Sequence, residues 1–276
     1  MGLRINTNIA SMNAQRNLAR ATKDLSDSYR RLSTGLRVAN AADDAAGLAI
    51  SERLRAQIRS IGQAERNAND GISLVQTAEG ALSEINDILI RMRELAIQSS
   101  NGTVANRDKD TLNEEFQAIK GEIDRISQAT KFSELNLLDG TSATVTLHIG
   151  PSTTTGVDTF DITFNSVRAS ALGLTSLDIG SGQSALSVID EIDTAINSVV
   201  ALRGSLGATQ NRLQSTIEQL QVDQENLSSA ESRIRDLDVA AETAHLTRSS
   251  ILQQAAISIL QQANIQPQAA LSLLQQ

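Results

Sequence analysis

The residues of this chain whose types and spacing could do chemistry are few: two histidines, His148 and His245, the acidic doublet Asp43 and Asp44, and the triplet Asn69, Asp70 and Gly71. An imidazole can ligate a metal or move a proton near neutral pH, but only with partners held beside it. His148 and His245 lie in separate segments, and neither belongs to a metal-ligand spacing. Two adjacent carboxylates could hold a cation, yet Asp43 and Asp44 precede a helical pattern, where negative charge favours the first turn. The Asn-Asp-Gly triplet reads as a turn, and its flanks lack the regularly spaced oxygens of a calcium loop. There is no phosphate-binding glycine loop after a strand and no nucleophile elbow. Cysteine is absent, which removes thiolate nucleophiles, disulfides and thiolate metal sites. No catalytic, metal or cofactor residue is expected, and the chain does not read as an enzyme.

A net charge of -8 and a pI near 4.9 argue against nucleic acid, which needs a basic surface. Aromatic residues make up only 2%, so long helices meeting through aliphatic seams are favoured over a core built on rings. Only Pro151 and Pro267 interrupt the chain. The opening residues contain no unbroken apolar stretch of the Sec-signal kind, so an exported protein would use another route.

Residues 249–276 carry no charged side chain, yet hold eight glutamines among Ile, Leu and Ala. Gln253, Gln254, Gln261, Gln262 and Gln266 break every apolar run before about 18 residues accumulate, so membrane insertion is not expected. A helix with apolar faces and no charged side is expected to pack against other chains.

The elements that must carry these residues are mostly helical. Leu74, Ala78, Ala81, Ile85, Ile88, Met92 and Leu95 advance by steps of four and three, the rhythm of a coiled-coil seam. Ile192, Val199, Leu206, Leu213, Leu220, Leu227 and Ile234 recur every seven residues. A weaker stripe through Ile5, Ile9, Met12, Leu18, Leu25 and Leu32 predicts a helix from about Ser11. Residues 34–42 read as a connector and 43 to about 60 as a second helix. Residues 144–149 and 160–164 alternate as strands, predicting a β-hairpin with His148 facing solvent. The expected fold is mainly α: a long antiparallel helical hairpin or coiled-coil bundle, with a small central β-hairpin insert and both helical termini at one end. The charge-poor tail would then lie beside residues 1–33.

Longer motifs resemble the bacterial flagellin family. They are INTN (5–8), RLSTGLRVANAADDAAGLAIS (31–51), RNANDGIS (66–73) and RMRELAIQSSNGT (91–103). After the hairpin come LGATQNRL (206–213), SRIRDLDVAAE (232–242), ILQQAAISILQQAN (251–264) and QAALSLL (268–274). They occur in the family's order, with Leu237 and Val239 as departures, and the short middle resembles a minimal flagellin. The resemblance implies an inner terminal coiled coil from residues 1–42 with 236–276, a helical rod from 43–140 with 183–235, and a hairpin insert at 141–182. It implies a structural subunit polymerising through Ile5, Ile9, Met12, Leu18, Leu25, Leu32, Ile251, Leu252, Ile259, Leu260, Leu271 and Leu274.

Implied partners are many copies of the chain, an export chaperone, and cap and hook-associated proteins, with secretion by the flagellar type III route to an extracellular filament. A host innate immune receptor contact is implied at Arg91 and Leu95, with Glu115 on a neighbouring helix. Subunit contacts account for the same residues. The alternatives are a hook-filament junction protein, which shares the terminal helices, and a cytoplasmic chemoreceptor-type signalling hairpin, which needs no charge-free terminus.

Overall fold

The computed structural model describes residues 7–141, 144–154, 156–180 and 185–274, with side chains through Ile265. Among them the chain is mainly α. The helices are α1 (Ile9–Thr34), α2 (Ala45–Ser100), α3 (Asn106–Ala129), α4 (Ala185–Arg235) and α5 (Val239–Leu274). Two antiparallel ribbons pair β1 (Lys131–Phe132) with β2 (Leu135–Asn136), and β3 (Thr144–His148) with β4 (Thr159–Thr163). The chain divides into two compact units, residues 1–56 with 226–276 and residues 57–225.

Sequence and structure differ most at α2. The expected turn at Asn69, Asp70 and Gly71 is absent, because α2 runs unbroken through all three. A Cβ on Gly71 would stand 2.2 Å from Leu147 Cδ1 and 3.3 Å from Leu213 Cδ1. This glycine therefore makes room for the hairpin and α4 rather than bending the chain. Asn69 satisfies itself within the helix, its Nδ2 donating to the Glu65 carbonyl at 2.9 Å. The apolar seams on either side override the local turn preference.

Residues 57–225 hold a core of large aliphatic side chains. The expected seam is enclosed, with Ala81 and Ile88 at its margin. A second stripe of Ala68, Val75, Leu82, Leu89 and Ala96, also seven apart, is fully buried. Two adjacent stripes mean that α2 is covered on more than one side. Phe116 and Ile123 of α3 join this core, as do Ile192, Val199, Leu206 and Leu213 of α4. Within the unit α4 runs antiparallel to α2, as successive contacts show: Glu65 with Gln221 at 2.7 Å, Glu79 with Arg203 at 3.9 Å, and Arg93 with Asp193 at 2.6 Å.

The hairpin registers Val145 opposite Ile162 and Leu147 opposite Phe160. Ile149, Phe160, Ile162 and Phe164 are buried on its inner face, whereas His148 is exposed. Arg212 lies 4.6 Å from the Phe160 ring centroid, a cation-π contact from α4 to the ribbon. The stretch after β4 has little regular structure but is pinned to α3 and the end of α2. Ser99 Oγ donates to the Ile179 carbonyl at 2.5 Å, Gln117 Nε2 to Leu177 O at 2.9 Å, and the Ala169 amide to Asp124 at 2.9 Å. Leu174, Leu177 and Ile179 are thereby buried without a helix or strand of their own.

Candidate subunit interface

In the unit formed by residues 1–56 and 226–276, α1 and α5 run antiparallel, and small residues meet at their seam. The buried positions of α1 are Ser11, Ala14, Ala21 and Ser28. Those of α5 are Glu242, Ser249, Ala256 and Ala263, spaced by seven. Cross-contacts fix the register: Asn8 to Ala263 at 2.8 Å, Ser11 to Asn264 at 2.8 Å, Thr22 to Gln253 at 3.2 Å, and Arg31 to Glu242 at 4.0 Å. Alanine and serine let two helices approach to about 8 Å, which leaves no room for leucine or isoleucine between them.

The large apolar side chains are displaced to the outside. Ile9, Met12, Ile251, Leu252 and Ile259 are between 54% and 60% exposed. Leu18, Leu25, Leu32 and Leu260 are half-buried along the flanks of the seam. Tyr29, Ile257 and Ile265 join the exposed set and were not singled out by the sequence pattern. Of the remaining expected interface residues, Ile5 lies outside the described residues. Leu271 and Leu274 stand on helical backbone whose side chains are not described.

Asn8 is used twice at the start of α1, which begins at Ile9 rather than near Ser11. Its Oδ1 accepts from the Ser11 amide at 3.0 Å, capping the helix, while its Nδ2 donates to the Ala263 carbonyl. That carbonyl is the one whose helical donor would be the amide of residue 267, and Pro267 has none. α5 nevertheless continues through Pro267 to Leu274. Asn8 thus supplies the hydrogen bond that the proline withholds.

The connector between α1 and α2 is held by backbone and carboxylate together. Gly35 ends α1 at φ 69°, a left-handed conformation suited to glycine, and its amide reaches the Arg31 carbonyl at 2.8 Å. Leu36 bridges Asp236, and the Arg37 amide donates to Arg235 O at 2.7 Å. Val38 is buried beneath. Asp43 accepts from the Asn40 amide at 3.0 Å, the Ala39 amide at 3.3 Å and Arg30 at 3.2 Å. The Asn40 amide foremost, then that of Ala39 and the Arg30 and Arg31 guanidiniums, hold its carboxyl below the usual aspartate range. Asp44 caps α2 by accepting from the Gly47 amide at 2.9 Å. A Cβ on Gly47 would meet that same carboxylate at 2.4 Å. On the next turns, Glu52 accepts from Arg235 at 2.7 Å and Arg55 at 3.0 Å.

In the other unit, Arg91 is exposed and reaches Glu115 at 2.9 Å and Glu94 at 3.0 Å, which together stabilise its charge. Leu95, one turn on, is fully enclosed in the subunit core. Four-residue spacing places the two on neighbouring positions of α2, but the core covers one and not the other. His148 and His245 are both exposed. Among the described residues no helix is long and apolar enough to cross a membrane.

Comparison with known proteins matches residues 5–143 to the bacterial flagellin N-terminal helical region and residues 189–274 to the bacterial flagellin C-terminal helical region. A flagellin of Halalkalibacterium halodurans is 49% identical over 263 residues, spanning 95% of this chain and 96% of the relative. The flagellar filament core protein flaB2 of Brachyspira hyodysenteriae is 40% identical over 275 residues, spanning 94% of this chain and 95% of the relative. Among solved structures, the crystal structure of Bacillus cereus flagellin aligns with a TM-score of 0.50 at 31% identity, covering 56% of this chain and 88% of that one.

Proposed function

The chain belongs to the bacterial flagellin family and is a structural subunit of the flagellar filament, and from that premise we propose that the outer faces of α1 and α5 are the surface through which copies join. The observation that carries this reading is the inversion of side-chain size in the terminal pair. Small residues fill the seam within the subunit, while Ile9, Met12, Ile251, Leu252 and Ile259 face outward. Each half-exposed aliphatic side chain contributes about 1 kcal/mol when a neighbour covers it. Many such contacts repeated along a non-closing helical path yield a filament rather than a ring. Exposed Gln254, Gln261 and Gln262 keep this surface wettable before assembly and offer hydrogen bonds within it.

Residues 1–42 with 236–276 form the inner layer in this proposal, 43–140 with 183–235 the rod, and 141–182 its hairpin insert. The subunit leaves the cell through the flagellar export apparatus, with a chaperone covering the apolar C-terminal segment. Cap and hook-associated proteins meet it at the filament ends. At the place of the implied receptor contact, Arg91 and Glu115 provide the accessible groups. Removal of residues 251–276 is expected to leave a soluble, largely helical subunit that does not polymerise. Electron microscopy of the truncated protein under polymerising conditions checks this, and normal filaments would overturn it.

A further inference from the structure

We propose that Asn101 is a site of spontaneous covalent modification, converting to aspartate and isoaspartate through attack by its own backbone. Of the chain's asparagines, only Asn101 is followed by glycine. The pair lies in the turn between α2 and α3, with Asn101, Gly102 and Thr103 all exposed, and a Cβ at Gly102 would meet nothing within 4 Å. The unhindered Gly102 nitrogen is the nucleophile.

Asn101 Oδ1 accepts a hydrogen bond from the Thr103 amide at 3.2 Å. This turns the side chain along the chain toward Gly102 and Thr103, on the side of the peptide that must attack it, and so limits the side-chain freedom lost on ring closure. The same donor polarises the side-chain carbonyl and stabilises the oxyanion formed when Cγ becomes tetrahedral.

The step balances with water as the one co-reactant. The Gly102 amide loses its proton to solvent base, its nitrogen bonds to Asn101 Cγ, and the Cγ–Nδ2 bond breaks as Nδ2 takes a proton back from solvent and leaves as ammonia, giving a five-membered imide. Water then adds to one of the two imide carbonyls. Opening at Cγ gives aspartate, and opening at the main-chain carbonyl gives isoaspartate with the backbone rerouted through the side chain.

Either product places a new negative charge directly after Ser100, the last residue of α2, whose final turn has no basic residue. Helix carbonyls there already present negative dipole ends, so the modified subunit frays at this turn. A filament that is not resynthesised in place gathers this charge with age.

Full-length purified protein held at mildly alkaline pH and sampled by peptide mapping tests the proposal. Conversion at residue 101 is expected about tenfold faster than at Asn165 or Asn197, each followed by serine, equivalent to ~1.4 kcal/mol in the barrier. Gly102→Ala is expected to slow it about tenfold, and Thr103→Ala, which keeps the amide donor, to leave it within about twofold, less than ~0.5 kcal/mol. Conversion no faster than at Asn165, or an unaltered rate in Gly102→Ala, would overturn the proposal.

Discussion

In residues 57–225 most of the large aliphatic side chains point inward, Ile90, Ile97, Val157, Leu186, Val200 and Val222 being the exposed exceptions, whereas in residues 1–56 with 226–276 the largest ones on α1 and α5 point outward and alanines and serines fill the seam. Both units are built from antiparallel helices with seven-residue spacings, so helix pattern alone does not distinguish them. What differs is the size of the residue at the repeating position: Val75, Leu82 and Leu89 in one, Ala256, Ser249 and Ala263 in the other. A seam of large residues buries enough apolar surface to hold a unit together by itself. A seam of small ones gains close helix approach but little buried area, and leaves its large neighbours to other molecules.

The most direct way to break this comparison is to cut matched side chains from the two units. Leu82→Ala is expected to cost the isolated subunit about 3 kcal/mol, as a cavity in a closed core does, read as a lowered urea midpoint by circular dichroism. Ile259→Ala should change that midpoint by less than about 0.5 kcal/mol, being an exposed site, while raising the protein concentration needed to sediment filaments. Equal destabilisation of the subunit by both substitutions would erase the distinction.

A smaller effect tests whether the terminal pair has a defined register of its own. Asn8→Ala removes both the α1 cap and the donor to Ala263, at a cost of about 1 kcal/mol. Pro267→Ala restores a helical amide to that carbonyl, so the Asn8→Ala cost should shrink in the Pro267→Ala background. Hydrogen exchange on α1 and α5 across the four proteins of this cycle measures the coupling, and additive costs would show the two sites to be independent.

The smallest expected effect concerns the connector. Because the folded-state pKa of Asp43 lies below its unfolded value, its contribution is fully present above the unfolded value near 4 and is lost as pH falls through the folded one. Asp43→Asn should therefore lower stability most at neutral pH and flatten the acid limb below about pH 4, the two proteins converging once the wild-type carboxyl is protonated. A titration of helicity from neutral to acid in both proteins checks the sign. An unchanged acid limb would mean that the carboxylate does not govern the connector.

The mainly helical fold, the repeat in α4 and the hairpin were legible because each rests on a periodicity or a composition. The hairpin strands came within a residue of their observed ends, since alternation of Val145, Leu147 and Ile149 with polar neighbours admits one pairing face. Gly71 misled because a glycine that relieves a close approach is written the same way as one that opens a turn. The seam of α1 was obscured for a related reason. Periodicity finds the stripe of largest residues, Ile9, Met12, Leu18 and Leu25, and says nothing of whether that stripe faces its own chain or another. The exposed heptad partner of a small-residue seam looks, in sequence, like a core.

The bond from Asn8 to the Ala263 carbonyl joins the cap of α1 to the last turns of α5. It amounts to a test of intactness. A molecule clipped at its amino terminus retains Pro267 but loses the only described donor to that carbonyl, and one clipped before Ala263 leaves Asn8 with no acceptor. Damage at either extremity is thereby felt at the other, as the loss of one hydrogen bond of about 1 kcal/mol where α1 begins against the last turns of α5.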